Sequence, residues 1–445
     1  MSRELPQPLP RNLRQTFASA LPFFYGYVMM LVAMLVQICT SPGQTFAFSA
    51  FTQPLTESLT LSDSRLAFAY MLGTLAAAFP LFAVGPLSDR FGIRHVTLVC
   101  VAALAAACFV AANATGFYSL LLSFFLLRFL GQGALSLLSG NAISMWFRSK
   151  IGRVSAIMSI GTGLAFAWVP SLLSQSIEDV GWRDTYRYTG WLTLAVMIPV
   201  IWLLFCNKPE DVDQRVDAAD PDRNGVSPSD QPQASGPSRS PSDGLTLRAA
   251  LRNRSYYILG GCNIVWAMTG TGVVFYLYKV CAEHGHDPTV GSAVLRTFGL
   301  AMLTMQLLGG IVADFLRLNR LLAFGMLMLL SALTLITVFH NVLALHGYAV
   351  LFGGGQGLLL SVGSVVWVRY YGRERLGVIR GTVWCLTVAG SGCGPLIMGV
   401  CNDLTGSFGD ALAAFAWIML PVTIVAPLAL PPPKFSGEAG SGMPK

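Results

Sequence analysis

The chain has 445 residues, of which 54% are hydrophobic and only 11% are charged, and its formal net charge is +7. This composition excludes a soluble globular protein, because long apolar runs fill most of the chain and the charged residues lie between them. The positive charge does not indicate a nucleic-acid partner, because the arginines and lysines are spread over several short loops.

Twelve apolar stretches follow one another along the chain. A helix needs about 20 apolar residues to cross the hydrocarbon core of a bilayer. We call the stretches spans 1 to 12, and they cover residues 25–50, 65–87, 95–113, 117–142, 152–173, 186–206, 256–280, 290–312, 320–340, 344–367, 378–400 and 410–430. The predicted fold class is therefore an all-α integral membrane protein with twelve transmembrane helices.

A repeated spacing indicates that the chain consists of two related halves. Four pairs of similar features lie 224 or 225 residues apart: Asp89 and Asp314, Gly152 and Gly377, Pro170 and Pro395, and the GQG triplets around Gln132 and Gln356. Internal repeats of this kind are common in membrane transporters. We expect two pseudo-symmetric six-helix bundles at 25–206 and 248–430, a cytoplasmic N-terminal tail at 1–24, a flexible cytoplasmic linker at 207–247 and a cytoplasmic C-terminal tail at 431–445.

The basic residues orient the predicted spans. Loops on one side carry eleven of them: Arg90, Arg94, Arg148, Lys150, Arg153, Arg317, Arg320, Arg369, Arg373, Arg375 and Arg380. The opposite loops and helix ends carry four: Arg65, Arg183, Arg187 and Lys279. Lys and Arg are retained on the cytoplasmic side during insertion. We therefore expect a multi-pass protein of a bacterial inner membrane or plasma membrane, with both termini in the cytoplasm.

Span 1 is interrupted by the segment SPGQT at residues 41–45. Proline removes a hydrogen-bond donor and clashes with the preceding helical turn. Broken helices of this type line substrate cavities in many transporters, because protein or water must satisfy the freed backbone groups. The segment predicts such a cavity, and a proline kink packed against a neighbouring helix is the alternative.

Arg128 lies near the middle of span 4, and Gln132 follows one helical turn later on the same face. A charge at the bilayer centre costs at least ~2.5 kcal/mol. The corresponding residue of the second half is Phe352, so a scaffold shared by both halves does not explain this arginine. We hypothesise that Arg128 faces the solute or tethers span 1. A buried arginine satisfied by span 1 carbonyls is the purely structural alternative.

Uncharged polar residues supply the other binding candidates. They are Gln44, Thr45, Gln132, Asn263, Tyr276, Gln306 and Gln356, joined by Arg296 near the outer end of span 8 and by Tyr70 and Trp384 as aromatic walls. Each alone is more often a contact between helices than a ligand. Their similar depth near a broken helix favours a shared site. The middle of the predicted spans contains no acid or histidine, so the sequence shows no obvious proton-titrating group at mid-membrane.

The loop between spans 2 and 3 predicts a gate. Asp89 is expected to face the start of span 11, where unpaired amides carry a partial positive charge and Arg380 is close in sequence. Asp314 is expected to mirror this contact at the start of span 5. The gating candidates are Asp89, Arg90, Arg94, Asp314, Arg317 and Arg380.

Two of these motifs resemble those of a known family. GPLSDRFGIRH at 85–95 and RFLGQG at 128–133 resemble the helix 2–3 and helix 4 motifs of the major facilitator superfamily. SPGQTFAFSAF at 41–51, WF at 146–147, GRVSAI at 152–157 and GWR at 181–183 are similar to the branch of monocarboxylate transporters and oxalate/formate antiporters. The resemblance implies a secondary transporter. That branch commonly places a carboxylate-binding arginine where this chain has Gln306.

From these features we predict a secondary transporter that moves a small organic solute by alternating access. A carboxylate is favoured, because Arg128 and Arg296 lack buried acidic partners. An efflux transporter of another solute and a non-transporting receptor on the same fold are the alternatives. The expected partners are the solute, the lipid bilayer and a coupling ion such as a proton, for a protein that works as a monomer. We expect no enzymatic activity, cofactor, metal or nucleic acid, and we interpret the nine cysteines as core residues.

Overall fold

A computed structural model describes residues 22–147, 150–212, 214, 247–371 and 376–432. The predicted tails and most of the predicted linker lie outside these residues. Within them, the first half is built from the helices Gly26–Cys39, Thr45–Leu59, Asp63–Ala78, Leu81–Phe91, Ile93–Ala112, Phe117–Leu127, Ser136–Trp146, Ile151–Leu192 and Ile198–Leu204. The second half contains Arg254–Glu283, Pro288–Phe315, Leu318–Val338, Val342–Tyr371, Leu376–Thr405 and Gly409–Val425, preceded by the short helix Leu247–Leu251.

These helices account for the twelve predicted spans. Ten are long and apolar enough to cross a membrane, and the bent pair Asp63–Ala78 and Leu81–Phe91 forms an eleventh crossing, span 2. The 52-residue segment Arg153–Leu204 would be about 78 Å long as one helix, whereas the hydrocarbon core is only about 30 Å thick. It breaks at Gly181, whose φ of 81° and ψ of 163° are not helical. Gly181 therefore divides span 5 from span 6.

Four spans depart from a regular α-helix in their interior. In span 1, the 3₁₀ turn Ser41–Gly43 separates two helices, which confirms the predicted break. Span 2 bends by 41° after Ala78, because Pro80 cannot donate a backbone hydrogen bond to continue the helix. In span 4, Arg128–Leu135 form a π-helix, and in span 6 Thr193–Met197 form another. Only the first departure was predicted from the sequence.

The two halves repeat the same packing. Span 1 packs on span 5 as span 7 packs on span 11, and span 2 packs on span 4 as span 8 packs on span 10. Span 3 contacts spans 4 and 6 as span 9 contacts spans 10 and 12. The halves meet where span 2 contacts span 11, span 5 contacts span 8, and the second segment of span 1 contacts span 7. These equivalent pairs are those of two pseudo-symmetric six-helix bundles.

The two ends of the molecule differ in charge. The basic end carries the arginine-rich connections between spans 2 and 3, 4 and 5, 8 and 9, and 10 and 11. The opposite end carries the turns between spans 1 and 2 and between spans 7 and 8.

Candidate functional site

The break in span 1 packs directly against the middle of span 4. A Cβ atom added to Gly43 would lie 2.1 Å from the carbonyl oxygen of Leu127 and 3.0 Å from the amide nitrogen of Gln132. Gly131 is similarly confined, since its added Cβ would lie 3.0 Å from the Cα of Gly43. Glycines at both positions therefore allow the two backbones to touch.

Arg128 lies inside this contact and is only 4% exposed. Its Nη1 donates to the carbonyl oxygen of Gly43 at 3.3 Å, and its Nε donates to Thr74 Oγ1 on span 2 at 3.1 Å. Its guanidinium carbon lies 5.1 Å from the ring centroid of Tyr70, whose hydroxyl is hydrogen-bonded to Thr45 Oγ1 at 2.8 Å. The guanidinium thus joins spans 1, 2 and 4, which is the geometry of a tether.

Gln132 follows Arg128 within a π-helix, and the two side chains differ in burial. The π-helix Arg128–Leu135 closes hydrogen bonds from residue i to residue i+5, so its turn is wider than that of an α-helix. Four residues nonetheless complete nearly one turn of a π-helix, so the shared face stays a prediction. Arg128 is buried in the protein, whereas Gln132 is exposed.

A cavity of about 220 Å³ lies between spans 1, 4 and 5, towards the basic end. Its lining residues are Gln37, Ser136, Ser139, Gly140, Ile143, Ser144, Ser155, Met158, Ser159 and Thr162. Gln37 organises one wall, because its Nε2 donates to Ser136 Oγ at 3.4 Å and its Oε1 accepts from Ser139 Oγ at 2.8 Å. This lining offers hydrogen bonds without a fixed charge. The sequence analysis missed these residues, because single serines in an apolar helix are common.

Gln306 brings the second half of the protein to the edge of this cavity. Its Nε2 donates to Ser159 Oγ at 3.1 Å across the contact between spans 8 and 5. Ser159 itself lines the cavity. Among the described side chains predicted to bind solute, Gln306 is the one that bonds a lining residue.

Other predicted binding residues lie apart from the cavity. Asn263 borders a narrow cleft with residues of spans 9 and 10, and Gln356 is half-buried in span 10. Arg296 is exposed near the opposite end and donates to a serine of span 5 at 3.3 Å. Gln44 bonds a threonine hydroxyl one turn earlier, and Trp384 is 59% exposed. The predicted convergence therefore fails for these residues, because similar depth does not place side chains on facing sides of their helices.

At the opposite end, charged and polar side chains join the two halves. Lys279 Nζ on span 7 donates to Asp63 Oδ1 on span 2 at 2.6 Å and to Thr56 Oγ1 on span 1 at 2.8 Å. Asn402 Nδ2 on span 11 donates to Asp63 Oδ2 at 2.9 Å. Tyr276, predicted to bind solute, instead donates its hydroxyl to the backbone oxygen of Asp63 at 2.7 Å.

Span 11 supplies a second acid to this group. Asp403 accepts the backbone N–H of Asp63 at 3.2 Å and that of Ser64 at 3.0 Å, at the first turn of span 2. The helices are close there, since a Cβ added to Gly399 would lie 2.6 Å from the backbone oxygen of Asp63. We call Thr56, Asp63, Tyr276, Lys279, Asn402 and Asp403 the opposite-end cluster. A lysine inside the last turns of predicted span 7 was the one signal for it in the sequence.

The predicted gating residues of the basic end lie in different surroundings. Asp89 and Arg317 are exposed, and the Arg90 guanidinium lies 5.3 Å from the ring of the next residue. Arg94 is buried and donates its Nη2 to the carbonyl oxygen of Trp202 at 2.7 Å, which fixes the start of span 3 to the end of span 6. The side chains of Asp314 and Arg380 lie outside the described part of the structure.

A pair of histidines at the opposite end predicts a pH effect on stability. The rings of His284 and His340 stack with centroids 3.8 Å apart. Burial, and then the neighbouring His340, lower the pKa of His284 below its ordinary value of 6.5. The folded state therefore binds fewer protons, so this contribution is present above about pH 6.5 and is lost as the pH falls below it. We expect Tm to fall slightly less between pH 7.5 and 5.5 for His284→Asn than for the wild type. The control His95→Asn should lose as much Tm over this range as the wild type does.

The family comparison agrees with the helical architecture. The model of the family described as Major Facilitator Superfamily matches residues 33–294, more than half of the chain. The uncharacterised MFS-type transporter YhjX of Escherichia coli strain K12 is 24% identical over 284 residues, which are 64% of this chain and 65% of YhjX. The chain thus spans just under two thirds of that relative. The MFS-type transporter hasB of Aspergillus fumigatus is 26% identical over 396 residues, covering 86% of this chain and 84% of hasB.

Solved structures show the same fold. A bacterial homologue of the human lysosomal transporter Spinster, in an inward-facing and unoccupied conformation, has a TM-score of 0.70 at 12% identity and covers 91% of this chain and 97% of its own. The nucleoside transporter NupG has a TM-score of 0.65 at 12% identity, with 90% and 98% covered. The relatives in both comparisons are transporters by name, not enzymes. This chain therefore belongs to the Major Facilitator Superfamily, as a multi-pass membrane protein.

Proposed function

We propose that this protein is a secondary transporter that moves a small polar organic solute by alternating access. The family assignment supports transport, and the two repeated bundles supply halves that can rock against each other. The excess of basic residues at one end favours a cytoplasmic location for that end and for both termini. The cavity then lies towards the cytoplasm, and the opposite-end cluster lies on the outer side.

The main support for the proposal is the cavity. Hydroxyls and an amide of the first half line it, and a residue of the second half lies at its edge. Spans 1, 4 and 5 supply its lining, and Gln306 of span 8 bonds Ser159 at its edge. Polar groups of this kind inside a membrane are costly unless they have partners. A polar solute at this position would contact both halves and would therefore respond to their relative motion.

A carboxylate is the first solute class to test. The resemblance to the monocarboxylate branch supports it, and serine hydroxyls and the amide of Gln37 can donate to carboxylate oxygens. The lining contains no acid that would repel an anion. The arginines of the basic end also raise the local concentration of anions.

An uncharged polyhydroxy solute, such as a nucleoside or sugar, is the second candidate. Arg128 and Arg296 were the reason to expect a carboxylate, and the protein itself engages both guanidinium groups. Among the described residues, the lining contains no fixed positive charge, and Arg128 is not part of it. A site of hydroxyls and one amide suits a solute with several donors and acceptors.

The function is tested by counterflow in proteoliposomes. Purified protein is screened for thermal stabilisation by carboxylates, nucleosides and sugars, and each hit is loaded inside vesicles and exchanged for labelled solute outside. Exchange in either class identifies the solute. A receptor that kept the fold without transport would be stabilised by its ligand and would exchange nothing. A pH gradient imposed in the same assay tests proton coupling.

The cavity residues should control affinity for the solute found in this way. We expect Gln37→Ala to raise KM about fivefold, because one net hydrogen bond contributes about 1 kcal/mol. The control is Thr334→Ala, an exposed span 9 residue that donates to its own helix. An unchanged KM in Gln37→Ala would place solute binding elsewhere.

A further inference from the structure

The opposite-end cluster holds a buried ion pair shared between the two halves. Asp63 belongs to the first half and Lys279 to the second, and their side chains are only 9% and 14% exposed. The structure describes one other ion pair, between Arg187 and Asp184, one helical turn apart on the surface of span 6. Removing one partner of a buried pair leaves an unpaired buried charge, which is far more costly than losing a surface pair.

Each charge of this pair has further partners across the boundary. Lys279 also bonds Thr56 of the first half, so one ammonium joins span 7 to spans 1 and 2. Asp63 accepts in return from Asn402 of span 11. The backbone at the start of span 2 donates to Asp403, a carboxylate that suits the partial positive charge of a helix N-terminus. Spans 1 and 2 are thus joined to spans 7 and 11 at one point.

We propose that the opposite-end cluster is the latch that closes the outer side of the transporter, with the Asp63–Lys279 pair as its central contact. This inference rests on the proposed alternating access. Opening of the outer side must separate span 2 from spans 7 and 11 and must therefore break the pair and its hydrogen bonds together. Water entering the opened end hydrates both charges, so the latch can reopen without stranding them. Its loss favours the state open to the outside.

The test measures the width of the outer end directly. Spin labels on a non-natural amino acid at Glu57 and Leu404, exposed residues of spans 1 and 11, report the distance between the halves by pulsed electron paramagnetic resonance. We expect Asp63→Asn and Lys279→Met each to raise the population with the longer distance at least about tenfold over the wild type. The control Asp184→Asn removes the surface pair and should leave the distribution unchanged.

Asp63→Asn and Lys279→Met lie in different halves, so the latch can still be tested with one of them if the other folds poorly. Reversal of the pair, Asp63→Lys with Lys279→Asp, should return the distances towards those of the wild type. Distances in folded single variants that match the wild type would overturn the latch. Because the labels need no solute, a shift in a protein that exchanges no solute would leave the latch standing and would refute the proposed function.

Discussion

Arg128→Lys is expected to abolish transport although it keeps the positive charge. The guanidinium bonds Gly43 on span 1 and Thr74 on span 2 with two different nitrogens. Lysine carries a single ammonium group and cannot reproduce this fork. Arg128→Gln, which loses the charge as well, should be inactive too. A carbonyl left without a partner in the buried break costs about 1–3 kcal/mol, enough to displace span 1 from span 4.

Uptake or counterflow measures this effect, and membrane insertion is followed separately by surface expression and size-exclusion chromatography. If Arg128 acted mainly as a charge facing the solute, Arg128→Lys would retain measurable transport while Arg128→Gln would not. If it acted mainly as a tether, both variants should be inserted and inactive. Normal uptake by Arg128→Gln would contradict both roles.

Gly43→Ala is expected to destabilise the folded protein by about 3 kcal/mol or more, the upper range for overpacking of a close contact. The added Cβ would lie 2.1 Å from a backbone oxygen of span 4, and backbone at a helix contact cannot rotate away as a side chain can. Gly140→Ala is the matched control, because nothing lies within 4 Å of its added Cβ.

Thermal stability in detergent, followed by fluorescence-detected chromatography, compares the two glycine variants. Gly43→Ala should lose monodisperse protein at a clearly lower temperature than the wild type. Gly140→Ala should match the wild type or exceed it slightly, since alanine is the better helix former. Equal stability of the two variants would show that spans 1 and 4 can separate at no cost.

The fold could be predicted largely from the sequence, because membrane spans depend on local composition. Twenty apolar residues form a helix wherever they occur in a bilayer, and Pro42 marks a break without knowledge of its neighbours. The π-helix at Arg128–Leu135 could not be predicted in this way. It depends on how span 4 packs against spans 1 and 2.

The candidate site was harder to predict than the fold, because it depends on contacts between distant residues. Gln306 was a candidate from the sequence and lies at the cavity edge, but Gln37 and the serines around it carry no distinctive pattern. Asp63 and Lys279 are 216 residues apart, and each alone resembles an ordinary charge at the end of a span. Only the packing of span 2 against spans 7 and 11 brings them together.

The central claim is that one cavity opens in turn to the two sides of the membrane. To test this claim, all nine native cysteines are replaced by serine and a single cysteine is introduced in the cavity by Ser136→Cys. A membrane-impermeant thiol reagent then reports the side from which the cavity is open. We predict labelling from the cytoplasmic side and also from the outer side, with Asp63→Asn increasing the outer rate. Labelling confined to one side in both backgrounds, with and without solute, would contradict alternating access.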